Sequence, residues 1–190
     1  HGLFHAPRHL IPKAPRGSAL GHPFVFHGIE PDDSKGVTVQ PPLEEGPGTK
    51  DFFAALQGCV QHWDDGLGKI LDALEHRGIL DNTLVIATTD HGIPAPRAKC
   101  TLYDRGLESF LFMRYPEAIT PGTRHDALLS HVDILPTVLD AAGTETPEHL
   151  HGQSFWPLLQ GETYQPRDAI YGEKTYHTEY DPMRGIRTNR

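Results

Sequence analysis

Residues 83–92 read TLVIATTDHG, and this stretch decides which fold the sequence predicts. A run of apolar and β-branched residues leads directly into Asp90, His91 and Gly92. A short continuous run of this kind is typical of a strand buried on both faces, as in a parallel sheet covered by helices. Because open α/β sheets bind their ligands at the carboxyl ends of the strands, Asp90 and His91 are expected to lie at a functional edge.

The chemistry of this pair suits a divalent metal ion, because Asp90 offers a carboxylate oxygen and His91 an imidazole nitrogen. In the alternative interpretation, Asp90 forms a turn or caps a helix and His91 is an ordinary surface residue. Two residues alone leave both interpretations open, so the flanking chain has to separate them.

Composition limits the class of protein. The chain has 190 residues, of which 37% are hydrophobic and 22% charged, which predicts a globular domain with a core. The formal charge of −8 argues against a nucleic-acid-binding protein. A run of about 18 apolar residues, the length that a membrane-spanning helix requires, does not occur. Cys59 and Cys100 are expected to be two free thiols rather than a disulfide.

The pattern along the chain predicts a long helix followed by alternating strands and short helices. The Pro-, Gly- and His-rich residues 1–48 are expected to form a long loop. A helix is predicted from Thr49 to Arg77, with Gly78 ending it. It is expected to cross one face of the sheet and to bury an apolar stripe: Phe52, Leu56, Val60, Trp63, Leu67, Ile70 and Leu74.

Further strands are predicted at residues 109–114, 169–173 and 183–187. Short helices are predicted at residues 133–140 and 153–159, the second of which would bury Trp156. No internal repeat and no second domain boundary is visible, so one domain is expected. The chain begins with His1 rather than Met and stops at Arg190, just after an apparent strand start. We therefore expect a fragment that is cut at both ends.

Several short motifs occur in a fixed order between about residues 37 and 190. They are WDDGLG at 63–68, DNTLVI at 81–86, TDHG at 89–92, Lys99, LYDRG at 102–106, DILPT at 133–137 and GQS at 152–154. In this order and spacing the chain resembles the sulfatases of the alkaline-phosphatase-like superfamily. The turn at residues 90–94 is most similar to the N-sulfoglucosamine sulfohydrolase (sulfamidase) branch, as is the short stretch at residues 3–8.

The resemblance implies an α/β class fold, an alkaline-phosphatase-like α/β/α sandwich with a mainly parallel central sheet, truncated at both ends. Residues 1–190 would then be the C-terminal part of a single, incomplete catalytic domain. The substrate implied is a small sulfated molecule, either an aryl sulfate or a sulfated sugar. Neither the oligomeric state nor the cellular compartment can be read from this sequence.

The resemblance also implies roles for individual residues. Asp90 and His91 would be two ligands of one divalent ion, typically Ca²⁺ in sulfatases. The family often has Asn at the position of His91. An imidazole nitrogen is a softer ligand than an amide oxygen, so Mn²⁺ and Zn²⁺ are also plausible here. Lys99 would contact a sulfate oxygen and neutralise charge on the transferred group. His5 would hydrogen-bond the sulfate or protonate the leaving group.

For Lys99 and His5 the alternative is an ordinary loop residue without a catalytic role. Asp64 also matches the family pattern, but we interpret it as structural. The family's nucleophile is a formylglycine made from Cys or Ser in a Cys/Ser-X-Pro-X-Arg motif. Neither Cys59 nor Cys100 begins such a motif, and no Ser does. The nucleophile and the paired Asp ligands of the metal are therefore expected upstream, and the chain alone is expected to be inactive.

Two other functions stay open at this point. One is a phosphate or phosphonate ester hydrolase of the same superfamily, since such enzymes commonly use His on the metal. The other is a non-catalytic module that binds sulfated glycans. A non-catalytic module that evolved from such an enzyme would be expected to lack the metal pair or Lys99. This sequence has Asp90, His91 and Lys99.

Overall fold

The computed structural model describes residues 43–44, 46–177 and 179–189. The chain divides into two compact units, His1–Leu80 and Asp81–Arg190, and each is described here by itself. His5 and the strand end predicted at residues 3–8 lie outside the described residues. The expectation of one domain over residues 1–190 stays a prediction.

The first unit contains the long helix α1, Pro47–His76, as the sequence predicted. Its N-cap is Gly46 in extended conformation with Pro47 in the first turn, so it begins two residues before the expected Thr49. Proline suits this position because the first amide of a helix has no intrahelical acceptor. Gly78 follows the C-cap with a φ of +67°, the left-handed conformation that commonly ends helices. Within the described residues, no helix is both long and apolar enough to cross a membrane.

The apolar stripe of α1 is buried less than the sequence predicted. Phe53 and the two alanines after it are buried. Val60 and Ile70 are each 58% exposed and Trp63 is 38% exposed, so the prediction that these three are core residues is wrong. The 3–4 spacing does put them on one face of the helix, but spacing does not say which surface covers that face.

The second unit contains four strands and three helices among its described residues. These elements are β1 (Val85–Thr88), α2 (Asp104–Leu107), β2 (Leu111–Arg114), α3 (Ile134–Ala141), α4 (Trp156–Leu159), β3 (Ala169–His177) and β4 (Glu179–Thr188). A turn of 3₁₀ helix, His131–Asp133, leads into α3. Each predicted strand and short helix is therefore present, and Trp156 is buried as expected.

The strands form two separate two-stranded sheets, and both pairings are antiparallel. Strand β1 pairs with β2, from Val85 opposite Arg114 to Thr88 opposite Leu111. Strands β3 and β4 pair as a long hairpin. The mainly parallel sheet is thus not seen in the described residues and stays a prediction. The strand before Asp90 was predicted to be buried on both faces, but of the four residues of β1 only Ala87 is buried. In strand β2, Phe112 is 66% exposed.

A buried carboxylate organises the start of α3. Asp133 is fully buried and accepts hydrogen bonds from the backbone amides of Ser130 (2.9 Å) and Gln153 (2.8 Å). The Arg167 guanidinium binds the same carboxylate through Nε (3.1 Å) and Nη2 (2.5 Å). These donors replace the water that Asp133 loses, and without them the buried charge would be strongly destabilising. The DILPT motif therefore begins with a structural aspartate.

Candidate functional site

Strand β1 delivers the Asp90–His91–Gly92 turn, and side-chain contacts fix the end of that strand. The Thr88 hydroxyl donates a 2.7 Å hydrogen bond to the Phe110 carbonyl, next to β2. The His131 ring, from the 3₁₀ turn, places Nε2 2.8 Å from the Thr89 carbonyl oxygen. Because a carbonyl only accepts, this His131 nitrogen carries the proton. The backbone of Thr89, directly before Asp90, is therefore fixed by His131 from the turn that precedes α3.

Asp90 and His91 lie side by side in the turn. The His91 Nε2 is 3.4 Å from the Asp90 Oδ2, and their side chains are 37% and 85% exposed. The other ring nitrogen, Nδ1, is 2.8 Å from the Gly92 carbonyl oxygen. Since that oxygen cannot donate, Nδ1 is the donor of this hydrogen bond, and Nε2 is the ring nitrogen that could bind a metal ion. A backbone carbonyl that orients a histidine in this way is common at metal sites.

The donors of this pair fit part of a divalent-metal site. Imidazole nitrogen and carboxylate oxygen bind ions such as Zn²⁺ at about 2.0–2.2 Å, so a nitrogen and an oxygen 3.4 Å apart are close enough to contact one ion. Among the described residues, no group of three or more His, Cys, Asp or Glu side chains could hold a metal. Within that part of the chain, Asp90 and His91 would therefore be a partial ligand set, and other ligands would be needed.

The loop that carries Lys99 starts at this turn and returns to it. The Lys99 amide donates a 3.0 Å hydrogen bond to the carbonyl of Ile93, directly after the turn. The Gly92 amide donates a 3.1 Å bond to the Gly106 carbonyl. Ala98, beside Lys99, is fully buried. The backbone of Lys99 is thus fixed to the turn that bears Asp90 and His91, while convergence of the three side chains stays a prediction.

Close backbone contacts explain two glycines of the motifs. A Cβ on Gly92 would lie 1.6 Å from the Arg105 carbonyl oxygen, and one on Gly106 would lie 2.4 Å from the Thr101 carbonyl oxygen. Arg97 and Cys100, on either side of Lys99, have φ angles of +59° and +70°. Such angles are unfavourable for residues with a side chain and persist only where the surroundings enforce them. The loop is therefore a tightly determined structure.

The remaining predicted site residues are less informative. Asp64 lies exposed on α1 in the first unit, and its structural role stays a prediction. Cys59 and Cys100 form no disulfide, as expected. Burial raises the pKa of the Cys59 thiol, so it is a poor nucleophile at neutral pH. His131 was not identified from the sequence, because nothing in the local pattern distinguishes it from the other histidines.

Comparisons with known proteins identify related sequences over most of the chain. Residues 96–190 match the family model described as N-sulphoglucosamine sulphohydrolase, C-terminal. An ulvan-active sulfatase of Formosa agariphila is 38% identical over 171 residues, covering 87% of this chain and 34% of the relative. The human N-sulphoglucosamine sulphohydrolase is 32% identical over 152 residues, covering 74% and 30%. The chain thus spans about a third of the length of these two relatives.

Solved structures give a similar result. A protein in complex with its substrate D-glucosamine-2-N,6-O-disulfate has a TM-score of 0.64 at 30% identity, covering 75% of this chain and 30% of that protein. The phosphonate monoester hydrolase of Silicibacter pomeroyi has a TM-score of 0.62 at 29% identity, covering 75% and 29%. Both solved structures are similar in fold to the part of this chain that they cover.

Proposed function

This chain belongs to the sulfatase family, and from that membership we propose that the intact protein hydrolyses a sulfate ester or an N-sulfate. The chain contributes Asp90, His91 and Lys99 to the site. The observation that carries the proposal is the hydrogen bond from the Lys99 amide to the Ile93 carbonyl. It fixes a cationic residue to the turn that bears both candidate metal ligands.

The substrate class we propose is a small sulfated sugar or an aryl sulfate. Support comes from relatives and neighbours named for sulfated sugars: the N-sulphoglucosamine sulphohydrolase, an N-acetylglucosamine-6-O-sulfatase and the glucosamine disulfate complex. A sulfate group carries its charge on oxygens, so a site that binds it needs fixed positive charge. No nucleic-acid partner is proposed, because the net charge of the chain is −8.

Lys99 would place its ammonium against a sulfate oxygen and stabilise the charge that builds up there during transfer. Asp90 and His91 would hold one divalent ion, Ca²⁺ first and Mn²⁺ or Zn²⁺ as alternatives because of the imidazole. That ion, when bound, would supply further positive charge next to the sulfate oxygens. The nucleophile would be a formylglycine from outside residues 1–190, and His5 would hydrogen-bond the sulfate or protonate the leaving group.

The test is an activity assay of the intact protein, expressed together with its maturation enzyme. Wild type and Lys99→Ala are assayed on 4-nitrophenyl sulfate, glucosamine N-sulfate and 4-nitrophenyl phosphate. We expect turnover of a sulfated substrate and a loss of about 10²- to 10³-fold in Lys99→Ala, as when one preorganised charge stabiliser is removed. Lys69→Ala, on the exposed surface of α1, is the matched control and should leave turnover unchanged.

A phosphate or phosphonate ester hydrolase is the second candidate. It is favoured by the 29% identity to the phosphonate monoester hydrolase and by His91, since imidazole is a frequent metal ligand in such enzymes. Sulfate and phosphate esters are both tetrahedral anions, so the same three residues would serve either reaction. Turnover of the phosphate with neither sulfated substrate touched would replace the first proposal by this one. Binding of sulfated glycans without turnover would instead favour the non-catalytic module.

A further inference from the structure

Two glycines face each other in the hairpin of β3 and β4. Gly172 and Gly185 are direct partners in the antiparallel register. Neither has a positive φ, so the backbone conformation alone does not require glycine at these positions. Glycine inside a strand weakens that strand and often marks a place where another group approaches closely. The pair, here named the glycine notch, therefore needs a steric explanation.

The group that fills the glycine notch is the side chain of Leu102. A Cβ on Gly185 would lie 3.3 Å from both Cβ and Cδ1 of Leu102. A Cβ on Gly172 would lie 3.2 Å from Cδ2 of Leu102 and 3.5 Å from Leu107. Because protein interiors are close-packed, contacts this short force a neighbour to move. A side chain at either glycine would thus push Leu102 away by a few tenths of an ångström.

A second contact fixes the same two segments in the same register. The Arg187 Nε donates a 2.8 Å hydrogen bond to the Asp104 Oδ1. Arg187 lies two residues after Gly185, and Asp104 lies two residues after Leu102. Both charged side chains are more than a third exposed, so the pair contributes little free energy. The Arg187–Asp104 pair therefore fixes the position of the hairpin against the loop but adds little to stability.

The short segment between Lys99 and Leu102 is fixed by hydrogen bonds. The Thr101 amide and hydroxyl both donate to the Ala98 carbonyl, at 3.0 and 2.7 Å. The Lys99 amide is bound in turn to Ile93. A displacement of Leu102 would therefore be transmitted to Lys99 through a short, hydrogen-bonded segment rather than absorbed by a flexible one.

We propose that Leu102, seated in the glycine notch, is a positioning residue for Lys99, so that the C-terminal hairpin sets where the Lys99 ammonium lies. The inference rests on the proposed function, because it presupposes the role of Lys99. Leu102 acts through Lys99 and not on the substrate. Charge stabilisation in a transition state depends strongly on geometry: a misplacement of about 1 Å costs up to about 100-fold in rate, so a shift of a few tenths of an ångström is expected to cost a smaller factor.

The experiment introduces Gly185→Ala and Gly185→Val in the intact protein and measures kcat and KM on the sulfated substrate. We expect kcat to fall about tenfold with Ala and further with Val, with KM little changed, as when transition-state stabilisation alone is lost. Valine suits a strand better than glycine does, so a weakened hairpin cannot explain this order. Ile186→Ala, at the next position and 62% exposed, is the matched control and should retain wild-type kcat.

A double-mutant cycle shows whether the effect passes through Leu102. Leu102→Ala removes most of the side chain that fills the glycine notch. A side chain introduced at position 185 then has no leucine to push away. Gly185→Ala combined with Leu102→Ala should therefore lose no more kcat than the worse single variant. The Ala pair also serves if Gly185→Val does not fold. Fully additive losses would overturn the inference, since the glycine would then act through another group.

Lys99→Ala, measured in parallel, separates this inference from the proposed function. Full activity in Lys99→Ala overturns both, because there would be no charge to position. A large loss in Lys99→Ala together with wild-type kcat in folded Gly185→Ala and Gly185→Val overturns the positioning role alone. A large loss in Lys99→Ala, graded losses at Gly185 and a Gly185→Ala/Leu102→Ala double variant that is no worse than the worse single variant support it.

Discussion

The amide of Gly92 donates a 3.1 Å hydrogen bond to the carbonyl of Gly106, and this contact closes the loop that carries Lys99. The two backbones approach so closely that a Cβ on Gly92 would lie 1.6 Å from the Arg105 carbonyl oxygen. The DHG and LYDRG motifs thus meet in space, and Gly92 permits the approach, while Gly106 allows the loop to fold closely onto Ala98 and Thr101. The turn that bears Asp90 depends on this closure.

Gly92→Ala is expected to destabilise the protein by about 1–3 kcal/mol or more, the cost of forcing an extra group into a packed site. The backbone has to move, because the clashing atom is a carbonyl oxygen rather than a flexible side chain. Urea denaturation of the intact protein measures the effect. Gly68→Ala, on α1 with nothing within 4 Å of its Cβ, is the control and should be neutral or stabilising. Equal stability of the two variants would refute the close approach.

Asp133→Ala is expected to cost about 3–5 kcal/mol, because it leaves Arg167 without its buried partner and two backbone amides without their acceptor. Chemical denaturation provides the measurement. Asp126→Ala breaks the exposed Arg124–Asp126 pair, whose side chains are both 90% exposed, and should change little. If the two substitutions have similar effects, Asp133 does not organise the start of α3.

Stability should fall at alkaline pH because of Tyr164. Its hydroxyl is buried and has no hydrogen-bond partner among the described residues. Burial raises the pKa of Tyr164 and the Asp133 charge raises it further, while Arg167 lowers it. Below about pH 10 both folded and unfolded states keep the proton. At higher pH the unfolded state loses it first, so folding stability declines as the pH rises towards the folded-state pKa.

Thermal unfolding from pH 8 to pH 11 tests this sign. Over the upper part of this pH range, the Tm of wild type should decrease more steeply with pH than the Tm of Tyr164→Phe, because the variant has no hydroxyl to titrate. Tyr171→Phe, on the exposed surface of β3, is the control and should follow wild type. A Tyr164→Phe profile that coincides with wild type would show that burial of this hydroxyl does not affect stability.

Much of the local structure follows from the sequence, because local rules determine it. The end of α1 was predicted from Gly78, whose left-handed φ is the reason that glycine stands there. The strand before Asp90 followed from its apolar run, and the burial of Trp156 from its place in a helical turn. These features depend on neighbouring residues only.

The features that depend on distant residues were not predicted. An apolar run does not reveal its pairing direction, so the antiparallel partner of β1 could not be known. The exposure of Trp63 and Ile70 depends on what covers their face of α1. Likewise, Leu102 and Gly185 are far apart in the sequence, and no single-sequence pattern reports their contact. His5 lies outside the described residues, so its role stays a prediction.

The measurement that tests the central claim most directly is sulfate release by intact wild type and Asp90→Ala, assayed on 4-nitrophenyl sulfate and glucosamine N-sulfate. Asp126→Ala serves as a control for loss of an exposed carboxylate. If Asp90 is a metal ligand, its loss should reduce turnover by more than the roughly 10²- to 10³-fold expected for Lys99→Ala, because the ion would be lost or misplaced. Bound divalent metal, measured on the same samples, should fall with it. Full sulfate release by Asp90→Ala, with metal content unchanged, would contradict the account.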